Sequence, residues 1–324
     1  MSVLPAGSQA GPVFDLHNQV SLLGDKDFFM EEPWSHKVVT NGSQHRYVPD
    51  FAQALAEGVL RYENDQFRIV PMWERGAETV KSAVLTTQND VDKCLHVGEA
   101  MFFTATLPWG KGLWPAIWFL PYFPFGQWPE DYRSRVLPEI DVMESVNKDN
   151  VRCYYTNRHT YNAPLPGSSF TDLLIKHTCP AGYDLHQNGH TYGIYREEDA
   201  VTLTLDNMVV NSFPAMQEDI MQGPWTALVN LAVGGGWPGP FDTRQAPDVR
   251  HHFVVHDWRK AEIRRAAGKE DQKPELNPNR DVIARLNELQ GCVETAITKC
   301  FDEDRAELQW PPSARTGNLP SSDQ

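Results

Sequence analysis

The chain has 324 residues, with 29 Lys+Arg against 43 Asp+Glu and a formal net charge of −14. That excess of acid repels phosphate backbones and anionic headgroups, so neither nucleic acid nor a membrane surface is an expected partner. Hydrophobic residues at 41% and aromatic residues at 11% provide for a sizeable core and exclude disorder throughout.

The first residues, 1–8, carry no basic region followed by an apolar run, so no signal peptide is expected within the chain. Taken in chain order, period-two alternation predicts strands at 58–62, 66–72, 82–87, 100–107, 113–120, 139–145, 153–159, 191–196, 226–233 and 252–263. The clearest hairpin joins 201–205 to 208–210 through Asp206-Asn207, a two-residue link suited to positive φ. The most apolar stretch, 112–126, is interrupted by Pro115, Pro121 and Pro124 and is too short to cross a bilayer as a helix. Between residues 50 and 265 no 3.6-residue period lasts beyond two turns, which predicts an all-β sandwich of two antiparallel sheets over 1–266.

After Gly268 the character changes. Residues 267–280 read as a polar linker. Val282, Leu286, Leu289, Val293, Ala296, Ile297 and Cys300 then predict an amphipathic helix over 281–301, followed by a tail, 302–324. The helical extension is expected to pack back on the sandwich, with self-association as the alternative. Five scattered cysteines (Cys94, Cys153, Cys179, Cys292, Cys300) contain no Cys-x-x-Cys pair, so zinc-ribbon and thioredoxin-like sites are excluded. Free thiols are expected, and a Cys153–Cys179 disulfide is the alternative.

The segment that carries chemistry is Glu139-Ile140-Asp141-Val142-Met143-Glu144. On a regular strand Glu139 and Asp141 share a face while Glu144 takes the other. The apolar pair Val142-Met143 stands where one residue would keep the alternation. A bulge there brings all three acids to one surface. Repulsion among them is expected to raise at least one pKa. An ionised nucleophile beside a neutral acid is what a retaining glycosidase needs, so Glu139 is assigned as nucleophile, Glu144 as acid/base and Asp141 as the residue that orients Glu139. The competing reading is a solvated or calcium-binding acidic edge strand. Trp109, Trp114, Trp118, Tyr122, Phe123, Phe125 and Trp128 lie just upstream and favour the first reading, because a flat indole suits the C–H face of a pyranose.

These residues resemble a known family. Residues 112–121 (Gly-Leu-Trp-Pro-Ala-Ile-Trp-Phe-Leu-Pro), the six-residue acidic segment, and 230–239 (Asn-Leu-Ala-Val-Gly-Gly-Gly-Trp-Pro-Gly) are similar to the laminarinase-like branch of glycoside hydrolase family 16. The likeness runs in order over about 55–265. It implies a β-jelly-roll with a concave substrate cleft and retaining cleavage of a β-linked polysaccharide, typically β-1,3-glucan. It places the nucleophile on Glu139, the assisting aspartate on Asp141, the acid/base on Glu144 and an active-site histidine on His159. Cleft tryptophans match Trp114 and Trp118, and Trp128 and Trp237 are further sugar-binding candidates. No cofactor is needed for the chemistry. A structural calcium is common in the family, and Asp257 is the candidate ligand. The family expectation for location is extracellular. Departures are an insertion at 130–137 before the acids, and a poor match over the first fifty residues. Hydrolases or transglycosylases of agar, carrageenan or mixed-linkage glucan share the same acids. A non-catalytic glucan-binding protein is the reading from another class, and retention of both glutamates counts against it.

Overall fold

The computed structural model describes residues 15–21, 43–48, 51–88, 90–123, 138–146, 152–161, 170–179, 183–216 and 221–264. Contacts divide the chain into two units, Met1–Ala266 and Ala267–Gln324. The expected linker, helix and tail all lie outside the described residues, as do Trp128, Cys292 and Cys300.

The strands are β1 (Asp15–Ser21), β2 (His45–Tyr47), β3 (Leu60–Glu63), β4 (Gln66–Ile69), β5 (Val80–Ser82), β6 (Val84–Thr86), β7 (Glu99–Thr106), β8 (Leu113–Pro121) and β9 (Glu139–Glu144). There follow β10 (Cys153–Tyr161), β11 (Phe170–Asp172), β12 (Ile175–Thr178), β13 (His190–Arg196), β14 (Ala200–Leu205), β15 (Met208–Pro214), β16 (Trp225–Val233) and β17 (Phe253–Arg264). One sheet has eight strands in the order β15-β14-β13-β7-β17-β4-β3, with β1 also on β17. The other has seven, β11-β10-β9-β8-β16-β6, with β12 also on β10. Strands β2 and β5 form a separate parallel pair. Both large sheets are antiparallel throughout, the architecture of a jelly-roll sandwich.

The core is the apolar face of each sheet pressed against the other. From the seven-stranded sheet come Ile117, Phe119, Ile140, Val229 and Leu231. Met101, Phe103, Ile194, Phe253 and Trp258 face them from the eight-stranded sheet. Phe103 meets Phe119 edge-on between the layers, with ring centroids 6.1 Å apart. Arg196, at the end of β13, is buried beneath the entry to β16. Its guanidinium donates to the carbonyls of Leu95, Met221 and Gly223 at 3.0, 2.9 and 2.8 Å and lies 3.9 Å from the centre of the Trp225 ring.

The Asp206-Asn207 hairpin has the expected positive φ values, 49° and 64°. Several details depart from the alternation. The strand expected to reach residue 72 ends at Ile69, because the chain then changes partners and Met72 bridges to Lys81 instead. A short helix, α1 (Phe51–Ala56), buries only Ala54; one turn and a half is too short to leave a 3.6-residue signal. Strands β1, β2, β11 and β12 were not expected from alternation. Cys94, Cys153 and Cys179 are all buried free thiols. Cys153 stands opposite Thr178, with Sγ 3.4 Å from its Oγ1. Cys179, one residue on, therefore turns to the opposite face and joins the core. The pleat itself separates the two sulfurs, and the alternative of a Cys153–Cys179 disulfide is set aside.

Candidate active site

Strand β9 lies between β8 and β10. Against β8 its pairs are Phe119↔Ile140 and Trp118↔Asp141, then Ile117↔Met143 and Ala116↔Glu144. Val142 is left over. The same shift appears against β10, where His159↔Glu139 and Asn157↔Asp141 are followed by Tyr155↔Glu144. This is a one-residue bulge, located within the Val142–Met143 pair singled out in the sequence. Ile140, Val142 and Met143 all join the core. The surplus residue is thus absorbed on the apolar side. In a regular strand Glu144 would enter the core without a polar partner, which costs several kcal/mol. Instead Glu139, Asp141 and Glu144 look out from the other face.

His159 projects beside the first two acids. Its Nε2 lies 3.1 Å from Asp141 Oδ2 and 3.7 Å from Glu139 Oε1. Asp141 is the most enclosed, with its side chain 2% exposed against 25% for Glu139. Asn157, opposite Asp141, is oriented by the Arg158 backbone N–H, which donates to its Oδ1 at 2.8 Å. The Asn157 amide nitrogen then faces His159 Nε2 at 3.0 Å.

Glu144 has its own support. The Trp114 indole N–H donates to Glu144 Oε1 at 2.9 Å. Trp237 packs edge-on against Trp114, with centroids 5.3 Å apart, and also against Tyr155 at 5.0 Å. Trp118, opposite Asp141, donates its indole N–H to Asn230 Oδ1 at 2.6 Å. It therefore offers the face a fixed ring rather than a hydrogen-bonding edge.

The structure thus gathers Glu139, Asp141 and His159, and sets Glu144 with Trp114 and Trp237 on the same face. Trp118 faces them from the next strand. Trp109, one of the upstream aromatics, belongs elsewhere and packs edge-on against His186 with centroids 4.9 Å apart. Asn157, Tyr155, Asn230 and Tyr47 were given no role from the sequence, although period-two counting from His159 reaches the first two.

The Asp257 carboxylate is paired with the Arg259 guanidinium. Among the described residues, the group of three possible metal ligands is Glu139, Asp141 and His159, whose donor atoms lie within 4.8 Å of one another. Asp257 is not part of it, and these three are residues that the sequence reading assigns to the active site.

No protein-family model matches the chain. An endo-1,3-1,4-β-glycanase of Rhizobium meliloti (strain 1021) is 24% identical over 231 residues, covering 68% of this chain and 44% of that protein. The chain spans about half or less of the length of each curated relative it matches. In structure it is similar to the laminarinase catalytic domain of Thermotoga maritima MSB8, with a TM-score of 0.59, 23% identity, and coverage of 78% of this chain and 99% of that one. It is also similar to a glycoside hydrolase family 16 endo-glucanase of Bacteroides ovatus, with a TM-score of 0.55, 21% identity, and coverage of 75% and 99%. A sandwich of two antiparallel sheets is shared with solved laminarinases and endo-glucanases over nearly their whole length: the chain has the fold of glycoside hydrolase family 16.

Proposed function

We propose that the chain is a retaining, endo-acting glycoside hydrolase that cleaves β-1,3-linked glucan. The observation that carries this reading is the bulge at Val142, which gives Glu139 and Glu144 a common face with Asp141 between them. In the first step the Glu139 carboxylate attacks the anomeric carbon while Glu144 passes its proton to the departing glycosidic oxygen, leaving a glycosyl ester on Glu139. Glu144, now ionised, removes a proton from water. The resulting attack on the anomeric carbon releases the sugar with its original configuration and frees Glu139. Asp141 and His159 hold Glu139 in line, and Trp114 holds Glu144.

Proton NMR of the earliest laminarin products tests this. The new reducing ends are expected as the β-anomer, and α-anomer first would sink the nucleophile assignment. Glu144→Gln is expected to lower kcat roughly 10²- to 10⁴-fold with substrate binding kept. Glu139→Gln should lose at least as much. Unchanged turnover in either removes that residue from its role.

The name of the Rhizobium relative supports a second reading, action on mixed 1,3-1,4-linked glucan. Comparing kcat/KM on laminarin and on a mixed-linkage glucan decides between the two.

A further inference from the structure

A small apolar cluster of Tyr47, Val84, Leu120 and Leu228, with Trp118 against it, lies apart from the main core. Leu228 pairs with Trp118 across β16 and β8, so this cluster occupies the face that also carries the acids. It includes a residue of β2, a strand from the part of the chain that lies outside the family likeness.

The polar links at this place have only one consistent direction. An indole N–H can only donate, so Asn230 must present Oδ1 to Trp118. Its Nδ2 is then left for Tyr47, whose hydroxyl oxygen accepts at 2.7 Å. Tyr47, Asn230 and Trp118 thus form a directed chain from β2 through β16 to β8. The neighbouring residues of the same segment seize the turn after β16. The Gln44 side chain donates to Phe241 O at 3.1 Å and accepts from Phe241 N–H at 2.7 Å. Its backbone N–H donates to Val233 O at 2.8 Å. His45 Nδ1 accepts from Val233 N–H at 3.1 Å. Gly234 has φ +71°, and a Cβ there would lie 2.5 Å from Gln44 Oε1. The turn held in this way carries Trp237.

We infer that residues 44–47 form a positioning strap for the sugar-facing wall, with Tyr47 fixing Trp118 through Asn230 and Gln44 fixing the turn that bears Trp237. Substrate affinity in this chain then depends on a segment remote in sequence from the acids. This rests on the proposed glucan hydrolysis for its sugar, though not for its hydrogen bonds.

Tyr47→Phe keeps the ring and removes the acceptor. KM on laminarin is expected to rise about fivefold, the weight of one hydrogen bond, with kcat within about twofold of wild type. The Trp118 indole N–H resonance, assigned by its loss in Trp118→Phe, is expected to move. Gln44→Ala, acting on the turn that bears Trp237, should raise KM in the same way. An unchanged KM in both variants overturns the proposal, and so does a fall in kcat that tracks melting temperature with KM constant. If wild type neither cleaves nor binds β-glucan, the functional reading has failed. The indole resonance then decides the strap alone: an unmoved signal in Tyr47→Phe overturns it.

Discussion

Each large sheet has a bulged strand near its centre, and the two bulges do opposite work. On β9 the extra residue is Val142. On β17 the register runs Val255↔Ala105 and then Asp257↔Thr104, which leaves His256 over. His256 Nε2 lies 2.7 Å from Thr106 Oγ1 on the neighbouring strand, and Asp257 is neutralised by Arg259 two residues on. The first bulge hides apolar side chains and leaves acids facing outward without a cation on their own strand. The second spends its surplus on a polar side chain and pairs its acid locally. A bulge re-aims side chains, but the residues on either side and on the adjoining strands decide whether a reactive group results.

Changing the length of β9 gives the largest effect. One alanine inserted after Val142 lets the segment alternate without a bulge, so Glu144 still faces outward but stands two residues, about 7 Å, farther from Glu139. Turnover of laminarin is expected to fall by at least the 10²- to 10⁴-fold that an acid/base group contributes, with a lowered melting temperature. Deleting Val142 also restores plain alternation with the glutamate still facing outward. That variant should fold and keep measurable turnover, below wild type because the two carboxyl groups are respaced. Activity in the insertion variant equal to that of the deletion variant would break the account of β9.

Acid should act next, through residues away from both bulges. Burial pushes His45 and His177 down from 6.5 to about 4. A base that stays neutral in the folded chain and takes a proton in the unfolded one favours folding above pH 6.5. That contribution is lost as pH falls toward 4, by up to about 3 kcal/mol for each ring. Melting temperature is therefore expected to drop between pH 6.5 and 4. His177→Phe keeps the stacking on Tyr154, where the centroids are 4.8 Å apart, and should flatten part of that slope. An identical slope in the variant would remove His177 from the cause.

The smallest effect belongs to the β17 bulge. His256→Ala gives up one side-chain hydrogen bond and should cost about 1 kcal/mol of stability, read as a modest shift in urea midpoint, with laminarin turnover within twofold. A loss of turnover comparable to that of the β9 insertion would mean the two bulges are not separate in function.

Alternation made the interior strands legible, and with them the acids. Val142-Met143 breaks the period in a way that only a bulge repairs, so even an irregularity could be read. Trp114 was reached through its aromatic character, and its bond to Glu144 was not. Asn230 and Tyr47 show why such contacts escape. They are 183 residues apart, and each looks locally like an ordinary strand residue. A hydrogen bond between them follows from the closing of the sandwich and from no periodicity in either segment. Strand β2, with three residues, is too short to alternate visibly, although it brings Tyr47 to the face that carries the acids.

Arg196 carries one more consequence. The carbonyls that hold it belong to the peptide backbone, and its flat partner is an indole, so nothing in that clasp titrates between neutrality and pH 4. While protonation of imidazoles loosens other regions, the junction of β13 with the root of β16 keeps its full grip. Hydrogen exchange in mild acid would then find the slowest amides around Trp225, a dry anchor that outlasts the surfaces built upon it.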